Sequence, residues 1–113
     1  MTTIYHNPRC RKSRETLKIL EDQGETIEII KYLENPPSKQ ELKQLLELLG
    51  IEPMELIRTN EPIWKEKFKG KTMSNEAVID AMLAHPKLME RPVVVNGTQA
   101  VIGRPPEKVL EIL

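Results

Sequence analysis

Cysteine is almost missing from this chain: Cys10 is the only one in 113 residues. No disulfide can form within the chain, and a single thiol is in keeping with a reducing compartment. Excess charge of one sign is missing too. Seventeen Lys and Arg balance seventeen Asp and Glu, so no global field draws the protein to nucleic acid or to an anionic membrane. No apolar run approaches the roughly 18 residues of a spanning helix. The opening MTTIYHNP lacks the charged and then apolar segments of a signal peptide. His85 has no Cys or His at ligand spacing, so no metal site is predicted. Internal repeats and low-complexity tracts are absent. These absences predict a cytoplasmic, monomeric, single-domain protein, at the common domain size of about 100–150 residues.

Local patterning then supplies the elements. Thr2 to Tyr5 carry β-formers and read as a strand, broken by Asn7-Pro8. Leu17, Ile19 and Leu20 suggest a helix over about 10–23, ended by Gly24. TIEIIKYL (26–33) alternates and is rich in Ile, which predicts a second strand. So compact a strand–helix–strand run pairs in parallel through a right-handed crossover. ENPPS is a turn, and Ser38 with Glu41 matches a capping box. Leu42, Leu45, Leu46 and Leu49 follow at helical spacing, with Gly50 as the terminating residue. Pro53 opens a short helix through MELIR. The stretch 59–72 reads as charged and irregular around a packed Trp64. Ser74 caps a helix ended by Pro86. RPVVVNGTQAVIG is two β-runs joined by Asn96-Gly97, a strong hairpin signal. RPPEKVLEIL starts a closing helix. The order is β-α-β, a helical block, then β-β-α. Without the block this is the order of a thioredoxin-like domain. The predicted fold is therefore α/β: a mixed four-stranded thioredoxin-like sheet spanning 1–113, with a helical insertion at about 38–85.

The chemistry concentrates in HNPRCRKSRETL. Cys10 follows a strand and stands at the mouth of a helix, where unsatisfied N–H groups and the dipole favour an anion. Adjacent cations lower a thiol pKa. His6, Arg9, Arg11, Lys12 and Arg14 are all candidates for that effect. A buried structural thiol beside a solvated basic face is the alternative. Ser13 completes C-x-x-S. It can hydrogen-bond a Cys10 thiolate but cannot resolve a disulfide on it, so a resolving thiol must come from another molecule. Arg58, Arg91 and Arg104 are each surface residues unless they converge on Cys10. Guanidinium groups bind tetrahedral oxyanions through paired donors. In thioredoxin-like domains a cis-proline before the hairpin faces the active cysteine, and Pro92 is the natural candidate.

IYHNPRCRKSRETL, YLENPPS, ERPVVVNG and IGRPPEKVLEIL together resemble the glutaredoxin-linked arsenate reductase family, in order and over essentially the whole chain. Within it the short arsenate-reductase-like branch is most similar. The resemblance implies a Cys10 nucleophile that attacks arsenate. It implies that Arg58, Arg91 and Arg104 hold the oxyanion and its cysteine adduct. His6 would help to keep the thiol ionised, with Ser13 beside it. Glutathione as co-substrate and glutaredoxin as partner would complete reduction to arsenite, with no tightly bound cofactor. Arg9, Arg11 and Lys12 depart from the small or neutral residues that the family carries there. They leave room for another small oxyanion, or for a glutathione-dependent thiol transferase. A redox regulator binding RNA polymerase shares the fold, but such regulators typically switch through C-x-x-C.

Overall fold

The computed structural model describes all 113 residues. The chain divides into two compact units, Met1–Asn35 with Arg91–Leu113, and Pro36–Glu90.

The first unit holds the sheet. Strand β1 is Thr2–Tyr5, helix α1 is Arg11–Asp22 and strand β2 is Ile27–Ile30. Strands β3 (Val93–Asn96) and β4 (Gln99–Ile102) form the hairpin, and a 3-10 segment, Pro106–Ile112, closes the unit. The sheet order is β2-β1-β3-β4. β1 runs parallel to β2, with Tyr5 opposite Ile30, and antiparallel to β3, with Tyr5 opposite Val93. Ile4, Leu20, Val94, Val109 and Ile112 form the core, with Leu17, Ile19, Ile27 and Val101 packed around them. Each fully buried aliphatic side chain contributes about 1.5–3 kcal/mol. The core therefore fastens α1 and the closing segment to the sheet, and Cys10 rides on that helix.

Two expectations shift here. β2 stops at Ile30 rather than at 33, because β1 ends at Asn7-Pro8 and the last ladder bond runs from the His6 N–H to the Ile30 carbonyl, 2.8 Å. The closing segment is 3-10 rather than α-helical. Pro105 and Pro106, both without N–H donors, stand at its entry.

The second unit contains the whole 38–85 block. Helix α2 (Lys39–Leu49) starts at a full capping box. Ser38 Oγ accepts from the Glu41 N–H, and Glu41 Oε1 accepts from the Ser38 N–H. It ends on Gly50 at φ 66°, the left-handed conformation that favours glycine. Pro53–Leu56 is a 3-10 turn. The stretch 59–72 is not wholly irregular, since Pro62–Lys67 forms a six-residue helix, α3. It buries Trp64, whose ring stacks at 5.3 Å on Phe68. One buried residue in six leaves no periodicity to read. Helix α4 (Asn75–Ala84) is capped by Ser74. Lys39 pairs with Glu76 and Asp80, and Lys43 with Glu76, linking α2 to α4. The Arg58 N–H bonds the Leu88 carbonyl and the Glu90 N–H bonds the Leu56 carbonyl, which ties the middle of this unit to its last residues. No helix is long and apolar enough to cross a membrane.

Candidate active site around Cys10

Asn7 builds the turn that delivers Cys10. Its carbonyl accepts the Cys10 N–H and its Oδ1 accepts the Arg9 N–H, each at 3.0 Å. Such a turn is a natural use of Asn before Pro. Cys10 then occupies the N-cap position of α1 in extended conformation (φ −93°, ψ 122°), and its carbonyl accepts the first helical bond from Arg14. The first turn of α1 carries no acidic residue, so no carboxylate of that turn meets the positive end of the helix. The thiol is half-buried.

Burial is the largest influence on the Cys10 pKa and pushes it up. It is outweighed by the Ser13 backbone N–H, the Arg91 hydrogen bond, and the charges of Arg91 and Arg104. The net pKa lies below the ordinary thiol value, so Cys10 ionises more readily than a free thiol. The Ser13 contact falls short of a full side-chain cap of the helix, yet it is the strongest of the influences favouring the anion.

Both arginines arrive from the far end of the chain. Arg91–Pro92 is a cis peptide bond, and so is Arg104–Pro105, a bond the sequence did not single out. The Arg104 Nε donates to the Arg91 carbonyl at 2.9 Å, and its Nη2 reaches the Cys10 sulfur at 3.8 Å. The Gly103 N–H bonds the Pro92 carbonyl at 2.9 Å. The two Arg-Pro turns are thus tied together twice, once through backbone and once through a side chain.

His6 and Ser13 form a buried pair behind the thiol. His6 Nδ1 and Ser13 Oγ are 2.6 Å apart, and the Asn7 N–H also donates to Ser13 Oγ, at 3.1 Å. Ser13 is fully buried. The His6 pKa is lowered, first by burial, then by the charges of Lys31 and Arg14. Burial therefore favours the neutral imidazole, and the ring is hydrogen-bonded to Ser13. The local basic residues are also redistributed. Arg11 pairs with Glu15 at 2.8 Å, and Arg14 donates to the Pro8 carbonyl at 3.0 Å. Arg9 and Lys12 are exposed. None of these four is among the groups that favour the Cys10 thiolate.

The first unit therefore brings together Cys10, His6, Ser13, Arg91, Pro92 and Arg104. Arg58 belongs to the second unit, where it faces Glu90 at 3.4 Å and Glu61 at 3.9 Å. No group of three His, Cys, Asp or Glu side chains is arranged to hold a metal ion. Sequence reasoning read Asn7-Pro8 as the break after β1, but it did not single out Gly103 or Thr16, which approach each other closely. A glycine directly before Arg-Pro-Pro was a signal for Gly103.

Known proteins resemble this chain in sequence and fold. Residues 5–112 match the ArsC family. An uncharacterised protein of Escherichia coli (strain K12) is 51% identical over 97% of this chain and 94% of its own. An arsenate reductase of Haemophilus influenzae is 44% identical over 97% of each chain. A solved structure of an arsenate reductase from Vibrio cholerae superposes with a TM-score of 0.95 at 53% identity, covering 99% of this chain and 97% of that one.

Proposed function

The chain belongs to the ArsC family, and from that premise we propose that it reduces arsenate to arsenite through a covalent Cys10 adduct, with glutathione and a glutaredoxin as the source of electrons. The observation that carries this is a half-buried thiol at an open helix N-terminus with two guanidinium groups aimed at it. That is an anion-stabilising site built around a nucleophile.

The first step is a substitution. The Cys10 thiolate attacks arsenic, an As–S bond forms, and one arsenate oxygen leaves as water after taking up protons. No oxidation state changes. Arg91 and Arg104 balance the oxyanion's charge, and by family resemblance Arg58 is the third such group. Ser13, held by His6, keeps the N3 N–H on the sulfur. In the second step a glutathione thiol condenses on the adduct with loss of another water. A glutaredoxin thiolate then attacks the glutathione sulfur. The As–S electron pair stays on arsenic, which becomes As(III), and the two external sulfurs leave as a mixed disulfide. Water releases arsenite and returns the Cys10 thiolate. Two electrons come from two thiols, neither of which this chain could supply beyond Cys10. No resident cofactor takes part. We read residues 1–113 as one thioredoxin-like domain with a helical insertion, working in the cytoplasm as a monomer.

The test is an arsenate-reduction assay with glutathione and glutaredoxin, comparing wild type with Cys10→Ser. Turnover by wild type and loss in the variant are expected. Folded wild-type protein that yields no arsenite above background would sink the proposal. If that same protein reduced a glutathione mixed disulfide, thiol transfer would replace arsenate reduction as its activity.

A further inference from the structure

Gly103 stands at a point of unusually close approach. It is buried in the first unit, directly before Arg104. A Cβ built on it would lie 2.7 Å from Thr16 Oγ1, 2.9 Å from Pro92 Cγ and 3.2 Å from Thr16 Cγ2. Contacts under about 3 Å are incompatible with normal packing, so an added methyl forces a neighbour to move. The neighbours are not free to do so. Thr16 is fully buried, and its hydroxyl is fixed to the Lys12 carbonyl at 2.8 Å on the same helix that starts at Cys10. Pro92 lies in the cis Arg91–Pro92 turn, and its carbonyl already accepts the Gly103 N–H. φ at Gly103 is not in the left-handed region, so space rather than backbone conformation is what requires glycine here.

We propose that Gly103 is a positioning residue of the thiolate site: its bare Cα lets the turn carrying Arg104 seat between Thr16 of α1 and Pro92, and so sets the Arg104 guanidinium on the Cys10 sulfur. The logic is geometric. Among the contacts that seat Arg104 are the backbone bond from Gly103 to Pro92 and its own side-chain bond to the Arg91 carbonyl. Lifting residue 103 off Thr16 displaces the first of these contacts relative to α1. The Nη2–Sγ distance of 3.8 Å is already long for a hydrogen bond, and lengthening it weakens that contact. The same displacement pulls on Pro92, and with it on Arg91.

This inference rests on Cys10 acting as a thiolate, and it is read without arsenate. Titrating the rate of Cys10 alkylation by iodoacetamide gives the thiol's midpoint directly. Gly103→Ala is expected to raise that midpoint by about one pH unit, a tenfold fall in the thiol's acid dissociation constant. Thr16→Ala in the Gly103→Ala background removes two of the three close contacts and is expected to restore most of the shift. A glycine that merely fills space would lower the melting temperature and leave the alkylation midpoint of the folded protein where it was. That outcome overturns the proposal, as does a raised midpoint that Thr16→Ala fails to rescue. If Gly103→Ala does not fold, Thr16→Val crowds the same notch from the other side, because a methyl replaces the smaller hydroxyl that faces Gly103. Its midpoint is expected to rise by a smaller amount, and an unmoved midpoint there overturns the proposal equally. Failure of the arsenate assay with these midpoints as expected would reject the substrate while leaving the positioning role intact.

Discussion

The two longest helices begin in opposite ways. At α2 the chain closes its own N-terminus. Ser38 takes the Glu41 N–H, and the Glu41 carboxylate takes the Ser38 N–H. At α1 the cap position holds Cys10, no acidic residue follows in the first turn, and the N3 hydroxyl of Ser13 points back to His6 and Asn7. A closed N-terminus serves only the stability of its helix. An open one presents its dipole and its free N–H groups to whatever anion arrives. α1 accepts the weaker start because Leu20 and its packing against the closing segment hold it in place.

Cys10→Ser breaks this contrast most severely. Arsenate reduction is expected to fall at least about a thousandfold, as for loss of a nucleophile. The variant should nevertheless be the better capped protein, since serine is a preferred N-cap residue worth about 0.5–1 kcal/mol over a poor one. Thermal unfolding at acid pH, where the wild-type thiol is protonated, should show the variant to be the more stable. Activity lost together with stability would mean that Cys10 is a packing residue.

Ser38→Ala opens the closed cap instead. It should cost about 1 kcal/mol, or roughly a 4 °C fall in melting temperature for a chain of this size. The Cys10 alkylation midpoint should stay put. A shifted midpoint would show that the two helix starts are not independent.

These contrasts were unequally legible in the sequence. The α2 box was fully visible, because both partners lie within four residues and need only local geometry. So was the hairpin, which needs only Asn96-Gly97 with Gly97 at φ 64°. The place of Cys10 at a helix mouth was readable from the Asn-Pro break. What acts on its sulfur was not. The obvious candidates were the four adjacent cations, but a cap sulfur meets the N–H groups of the following turn and whatever the fold brings over them. Here that is Arg104, 94 residues away in sequence, and only family resemblance pointed to it. The state of His6 was hidden for the same reason, since burial and the charges of Lys31 and Arg14 set it. α3 was missed because six residues around one buried tryptophan show no period.

pH sharpens the comparison further. The folded thiol titrates below its ordinary value, so the unfolded chain keeps its proton to higher pH. Between the two values the unfolded state binds more protons, and wild-type stability therefore rises with pH across that window. The contribution is complete above the ordinary thiol pKa of about 8.5 and is lost as pH falls through the folded value. Cys10→Ser lacks it. Urea unfolding of both proteins across this range should show the variant's advantage shrinking steadily as pH rises. A constant gap would mean that the folded protein does not favour the thiolate.

The smallest expected effect concerns the residues that first drew attention to the site. Arg11 is paired with Glu15 and largely exposed, and Lys12 is exposed as well. Exposed charges act through water and are screened within about 8–10 Å at ordinary ionic strength. Arg104 instead places a donor on the sulfur from a part-buried position. The double variant Arg11→Gln/Lys12→Gln should therefore move the alkylation midpoint by no more than about 0.2 pH unit, and that shift should vanish with added salt. Arg104→Ala should raise the midpoint several times further and resist salt. If the double variant matched Arg104→Ala, the thiolate would be held by the local charge of α1 rather than by the two Arg-Pro turns, and the open helix start would need its own basic residues to function.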